Sequence, residues 1–125
     1  MADEDRYETA ARIRQELGLI HSSGEAYSSE MFAQARDWAD RCIFGDIWAR
    51  PGLDLKNRSR ITIAMLTALR AHEQLATHVR AGLNLGLTKE EIVEILMHAT
   101  VYCGAPASMS AMLVAERVFA AEPQP

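Results

Sequence analysis

The sequence predicts an all-α fold of about six helices, and three observations support this prediction. Alanine, the strongest helix former, contributes 20 of the 125 residues. Aromatic residues contribute only 6% of the chain, fewer than a β-sandwich would need. Apolar positions recur at helical spacing, and no segment shows the alternation of a β-strand. The length suits one domain, expected to span residues 1–125.

The first helix is predicted over Asp3–Leu17. Acidic residues open it, and Gly18 can supply the left-handed residue that ends many helices. Residues 18–28 contain several turn formers and are expected to form a loop, with His21 exposed.

The second helix is capped by Ser28 or Ser29, whose hydroxyls can accept a hydrogen bond from a free backbone N–H. It is expected to end at Arg50, because a residue that precedes proline, here Pro51, avoids the α region. Its apolar positions follow helical spacing: Phe32, Ala35, Trp38, Ala39, Ile43 and Ile47.

The third helix starts at Asp54 or Asn57 and contains an uncharged stretch, Ile61–Leu69. A helix that is apolar on every face is expected to be buried on every face. The fourth helix is predicted over His72–Leu85 and stops at Gly86.

The fifth helix begins after Thr88, because Thr88 and Glu91 have the spacing of a capping box. It runs to about Tyr102 and ends at Gly104. Pro106 then suits the first turn of a sixth helix, where its missing N–H costs nothing. Small residues on this last helix form a face that another helix could approach closely: Ala107, Ala111 and Ala115.

The third and sixth helices each contain a long uncharged stretch, residues 61–69 and residues 105–115. Both helices therefore lack a clear polar face. A 125-residue monomer has few places to bury two such helices. We therefore expect a homo-oligomer whose interface uses one or both helices. The alternative is one core helix beside one weakly marked amphipathic helix.

Charge and cysteine content exclude several functional classes. The formal net charge of −4 offers no electrostatic footprint for nucleic acid or for an anionic membrane. Cys42 and Cys103 lie too far apart for a CxxC redox pair or a zinc ribbon. They could form one disulfide, but two reduced thiols are favoured. The acidic N-terminal residues do not resemble a signal peptide, so a cytoplasmic location is expected.

Polar residues that could support chemistry lie on the fourth and fifth helices. Gln74 and His78 share a face of the fourth helix, and Glu94, His98 and Tyr102 share a face of the fifth. Imidazole exchanges protons near neutral pH. Each residue also has a structural interpretation, because helical histidines are more often structural than catalytic. No third ligand accompanies Glu94 and His98, so no metal site is predicted.

Arginines provide the means to bind a carboxylate. Arg58 and Arg60 lie in the first turn of the third helix, whereas Glu73 and Arg80 lie on other faces of the fourth. Guanidinium groups pair bidentately with carboxylates. A cavity with two histidines, a tyrosine and an arginine could bind a small dicarboxylate and move a proton. The arginines could equally be solvated surface charges.

Three ordered segments resemble the carboxymuconolactone decarboxylase family. Residues 44–54 match its FGxxWxRPGLD stretch, and residues 78–88 are similar to its HxRxALNNGxT motif. Residues 98–107 are similar to its AxYxGxPA ending. The resemblance covers roughly residues 30–118.

The resemblance implies an alkylhydroperoxidase D-like helical fold in a closed oligomer, commonly a trimer or hexamer, with sites at or near subunit interfaces. It implies no metal or organic cofactor. The redox branch of this superfamily carries CxxCxxxH, and its two cysteine positions correspond here to Ala71 and Gln74. These residues cannot form a disulfide, so thiol peroxidase chemistry through that motif is excluded. The implied reaction is decarboxylation of 4-carboxymuconolactone in aromatic catabolism.

In this interpretation His78 donates a proton or stabilises a dienolate oxygen. Arg58 holds a substrate carboxylate, with Arg80 as the second choice. Further substrate contacts are expected from the other polar positions: Glu73, Gln74, Glu94, His98 and Tyr102. Gln74 stands where many family members carry glutamate, so a different substrate or reaction stays open. Because chains that resemble this family also occur in secondary-metabolite pathways, one alternative is a related cofactor-free decarboxylase, dehydratase or isomerase of another ring compound in such a pathway. The other alternative is a non-catalytic assembly domain.

Overall fold

A computed structural model describes residues 3–19 and 29–121 of the chain. These residues form helices and contain no β-strand, which confirms the all-α prediction. The predicted loop beyond residue 19, with His21, lies outside the described residues. The elements are α1 (Asp3–Leu17), α2 (Glu30–Asp40) with a π-helical continuation (Arg41–Trp48), α3 (Leu55–Leu69), α4 (His72–Leu85), α5 (Lys89–Cys103) and α6 (Ala105–Ala121).

The chain forms two compact units, Met1–Asp54 and Leu55–Pro125. In the first unit, α1 packs against the π-helical segment that follows α2. The guanidinium of Arg6 donates to both carboxylate oxygens of Asp46, at 2.9 and 2.6 Å. Gly18 ends α1 with a φ of 74°, as the sequence predicts.

The π-helical segment corrects the predicted course of the second helix. Ser29 caps this helix by accepting a hydrogen bond from the backbone N–H of Phe32. The predicted apolar face is nevertheless largely exposed, and Trp38 is 62% accessible. Phe44 and Trp48 are buried in its place, because the wider π-helical turn rotates later positions away from ordinary helical spacing. The exposed apolar side chains are Phe32, Trp38, Ile43 and Ile47.

Gly45 explains why α1 can approach the π-helical segment so closely. A Cβ atom at this position would lie 2.8 Å from the backbone oxygen of Arg6, well inside van der Waals contact. Only glycine fits there without a backbone shift.

The second unit, α3 to α6, surrounds one hydrophobic core. α3 packs against α4, α5 and α6, while α6 also packs against α4 and α5. Gly86 ends α4 with a φ of 100°, and Thr88 forms the predicted capping box with Glu91. The core contains ten buried residues: Ile63, Leu75, Val79, Leu87, Ile92, Leu96, Ala111, Val114, Ala115 and Val118.

The two apolar helices are each buried on one side and exposed on the other. The predicted small-residue face of α6 is buried in the unit, which confirms its role in close packing. On α3, Ile63 is fully buried, whereas Met65 and Leu69 are 59% and 75% accessible. The expectation that α3 is buried on every face is therefore wrong for the single chain, and an oligomer that covers it stays a prediction. None of the described helices is both long and apolar enough to cross a membrane.

Candidate functional site

His78 lies on the side of α4 that faces α3. One turn later on this side, a Cβ atom at Gly82 would be 3.1 Å from Ser59 Oγ and 3.4 Å from Ile63 Cδ1, both on α3. His78 itself is half-buried. Loss of hydration on burial lowers the pKa of the imidazole below its ordinary 6.5. His78 is therefore mostly neutral at pH 7.

Gln74 accompanies His78 on the same side of α4. The two residues are four apart, which places their side chains one turn from each other. Gln74 is exposed, whereas His78 is half-buried. The structure thus brings together these two predicted site residues, with Gln74 nearer to solvent.

Glu73 and Arg80 lie on the opposite side of α4. Two residues of α-helix turn the chain by about 200°, so Arg80 points away from His78. Both residues instead line a groove of about 320 Å³ between α4 and α6, together with His72 and Arg117. Within one chain, His78 and Arg80 therefore belong to different surfaces.

Glu94, His98 and Tyr102 line a second groove, of about 700 Å³, between α3 and α5. The rings of His98 and Tyr102 lie 5.2 Å apart between centroids at an angle of 36°. Apolar side chains make up most of the remaining surface of this groove, including Ile61, Ala64, Ile95, Met97 and Ala99. The predicted face of α5 is thus confirmed as one surface, separate from the groove that contains Arg80.

Arg60 also lines the α3/α5 groove. The sequence indicated it, beside Arg58, as an arginine able to bind a carboxylate, but did not assign it to the substrate. Its Nη1 donates to Asn57 Oδ1 over 2.9 Å, and its Nη2 donates to Glu91 Oε1 over 3.2 Å. Two acceptors therefore fix the guanidinium at the edge of the groove. A helical pattern does not reveal this, because Glu91 is on another helix.

Arg58 is half-buried, near the start of α3. Its carbonyl oxygen accepts a hydrogen bond from the Thr62 hydroxyl over 2.8 Å. The next residue, Ser59, has a fully buried hydroxyl for which the described residues offer no hydrogen-bond partner. Ser59 is a residue that sequence reasoning missed, because a serine in an apolar helix is ordinarily a packing residue. The feature that indicates Ser59 is its position beside Gly82, which lies one turn from His78.

The predicted site residues other than Arg58 are thus distributed over three surfaces of the second unit. His78 and Gln74 occupy the α3-facing side of α4, Glu73 and Arg80 the α4/α6 groove, and the three α5 residues the α3/α5 groove. In the described ranges, no three side chains of histidine, cysteine, aspartate or glutamate come together as metal ligands would.

Two comparisons with known proteins indicate the same family. Residues 33–117 match the model of the carboxymuconolactone decarboxylase family. The chain is 40% identical to 4-carboxymuconolactone decarboxylase of Acinetobacter baylyi over 121 residues, which covers 95% of this chain and 90% of the relative.

Two further relatives match over 81 residues each. Nitrosuccinic acid decarboxylase of Metarhizium robertsii is 41% identical over 65% of this chain and 54% of its own length. An uncharacterized 15.0 kDa protein of Paracoccus denitrificans is 38% identical over 63% of this chain and 60% of its own length.

Proposed function

The chain belongs to the carboxymuconolactone decarboxylase family, and on this basis we propose that it decarboxylates a small carboxylated substrate, 4-carboxymuconolactone. The observation that supports the proposal most is the 40% identity to 4-carboxymuconolactone decarboxylase over nearly the whole of both chains. A match of this extent includes the segments that contain Arg58 and His78.

The substrate itself supplies the electron sink for this reaction. Its reacting carboxylate sits on the ring carbon γ to the lactone carbonyl, with a conjugated double bond between them. When CO2 leaves, the electron pair of the broken C–C bond moves through the double bond onto the carbonyl oxygen and forms a dienolate. One proton added at the α carbon then gives the enol-lactone. The protein must bind the carboxylate, stabilise the dienolate oxygen and deliver the proton.

His78 is the residue we assign to the dienolate. Burial keeps its imidazole mostly neutral at pH 7, and a neutral ring can donate a hydrogen bond to the oxygen on which charge develops. A carboxylate bound beside the ring would raise the pKa of His78 again, because opposite charges favour the protonated form. The same ring would then deliver the proton.

Arg58 is the residue we assign to the substrate carboxylate. It is half-buried and precedes Ser59, whose hydroxyl contacts α4 one turn from His78. Guanidinium groups bind carboxylates through two parallel hydrogen bonds and stay charged at every physiological pH. We retain Gln74 as a further substrate contact because it shares the side of α4 with His78.

Nitrosuccinic acid is the second candidate substrate, supported by the 41% identity over 81 residues to a decarboxylase of that acid. A nitro group can take the place of the conjugated carbonyl, because it also delocalises the electron pair left by CO2. The same assignments of His78 and Arg58 would then serve a substrate without a ring.

The test is a direct assay of the purified full chain with each acid in turn, following CO2 release and the organic product. Turnover of 4-carboxymuconolactone to the enol-lactone supports the proposal. If neither acid is turned over, the proposal is contradicted. His78→Gln should reduce kcat by about 100-fold or more if the ring acts on the dienolate. Normal turnover by a folded His78→Gln variant would remove the assignment.

Arg58→Gln should mainly raise KM, since it removes a binding contact present before and during the reaction. Arg70→Gln is the matched control. Arg70 is also an arginine of the second unit, but it is exposed at the end of α3 and outside both grooves. Equal effects of the two substitutions would contradict the role of Arg58.

A further inference from the structure

The groove between α4 and α6 contains two arginines that are free to bind a ligand. Arg80 of α4 and Arg117 of α6 line it from its two sides, and both are exposed. Neither makes a hydrogen bond or an ion pair with any of the residues that the structure describes. Two helices thus present two unpaired guanidinium groups to one groove.

At least five other arginines of the described residues are paired with carboxylates. The pairs are Arg6 with Asp46, Arg12 with Glu16, Arg14 with Asp40, Arg36 with Asp37, and Arg60 with Glu91. Glu73 lines the same groove as Arg80 and Arg117, but no ion pair joins it to either of them. The groove therefore carries two positive charges against one negative charge, with none of them neutralised by direct contact.

We propose that this groove binds a small aliphatic dicarboxylate. Each guanidinium can hold one carboxylate through its planar set of donors. Between them, Ala76, Val114 and Val118 provide an apolar surface suited to the methylene groups of such an acid. A volume of about 320 Å³ holds a ligand of this size but not a large cofactor.

The groove is distinct from the side of α4 that carries His78. Arg80 is two residues from His78, about 200° around the helix, so a ligand bound to Arg80 does not contact the imidazole of the same chain. The dicarboxylate site therefore goes beyond the proposed decarboxylase activity. A binding measurement can test it whether or not the chain proves to be a decarboxylase.

The experiment is calorimetric titration of the full chain with succinate, at low and at moderate salt. Arg80→Gln and Arg117→Gln should each weaken binding by about five- to tenfold, because each removes a charge-assisted contact. Glu73→Gln should tighten binding by about two- to threefold, since it removes the opposing charge. Arg70→Gln, which changes an exposed arginine outside the groove, should leave the affinity unchanged.

Three ligands distinguish the chemistry of the site. Succinate should bind better than propionate, which has one carboxylate, and better than inorganic phosphate, which has no apolar body. Equal or tighter binding of phosphate would overturn the assignment to a dicarboxylate.

Absence of succinate binding would show that the groove is not a dicarboxylate site. A loss of succinate affinity in Arg70→Gln as large as that in Arg80→Gln and Arg117→Gln would show the same. A similar loss of succinate affinity in His78→Gln would show that succinate binds on the other side of α4, and it would also contradict the proposal. Circular dichroism and thermal unfolding of each variant confirm that the helices are retained.

Discussion

Arg60 and Glu91 join α3 to α5 through a hydrogen bond of 3.2 Å between Nη2 and Oε1. The other carboxylate oxygen of Glu91 accepts the backbone N–H of Thr88 over 2.8 Å. One side chain therefore completes the capping box of α5 and also holds the arginine at the edge of the α3/α5 groove. A local helix signal and a tertiary contact depend on the same charge.

The first prediction concerns the charge of Glu91. The Thr88 backbone N–H and then Arg60 lower the pKa of this carboxyl from its ordinary 4.5, because both favour the ionised form. Its contribution to stability is therefore present above pH 4.5 and is lost as the pH falls through the lowered pKa. Glu91→Gln can keep the capping hydrogen bond but not the charge. We expect a lower unfolding temperature at pH 7 and little difference from the parent chain near pH 3.

Glu90→Gln is the matched control for this experiment. Glu90 is exposed in the same first turn of α5, so both substitutions remove one acidic charge near the start of the helix. Identical unfolding temperatures of the two variants at pH 7 would show that the contact with Arg60 adds nothing.

The second prediction concerns the close packing of α6. Ala111 is fully buried in the core of the second unit, whereas Ala120 is exposed on the same helix. Ala111→Leu adds three carbon atoms where neighbouring helices are in contact and should cost about 1–3 kcal/mol of the free energy of unfolding. Ala120→Leu should change it by less than about 0.5 kcal/mol. Urea unfolding of both variants measures the difference, and equal values would contradict the packing.

The helix ends were predictable because each depends on local chemistry. Gly18 and Gly86 adopt positive φ angles, and Thr88 makes its capping box, as their residue types indicate. The π-helical segment was not predictable in this way. It accompanies the close approach of Gly45 to Arg6, and a contact between residues so distant in sequence leaves no periodic signal.

The site was only partly predictable for the same physical reason. Helical spacing correctly grouped His98 with Tyr102, because both lie on one helix. It could not show that Arg80 shares a groove with Arg117, since this depends on which helix packs against α4. Residues that act across helices require the tertiary arrangement.

The third prediction is that the chain forms a trimer or hexamer through α3, α6 or both. Met65 and Leu113 are 59% and 55% accessible, and exposed apolar side chains of this size favour association. Met65→Glu and Leu113→Glu should lower the mass measured by light scattering, because a charge at an apolar interface is costly to desolvate. Met31→Glu, at an exposed methionine of α2, should leave the mass unchanged. A monomeric parent chain at micromolar concentration would contradict the prediction.

The fourth prediction concerns the pH dependence that His78 imposes on stability. Because burial lowers the pKa of His78 below 6.5, the folded chain binds fewer protons at this position than the unfolded chain does. The free energy of unfolding therefore falls as the pH drops below about 6.5, and this contribution is complete above that value. His78→Gln removes the group that titrates, so this variant should lose less stability than the parent chain between pH 7.5 and pH 5.

Urea unfolding at both pH values measures the effect. His72→Gln, at the exposed start of α4, is the control. If His78→Gln lost as much stability as the parent chain over this range, the imidazole would not be held neutral by burial, and its assignment as a neutral hydrogen-bond donor to the dienolate would lose its physical basis.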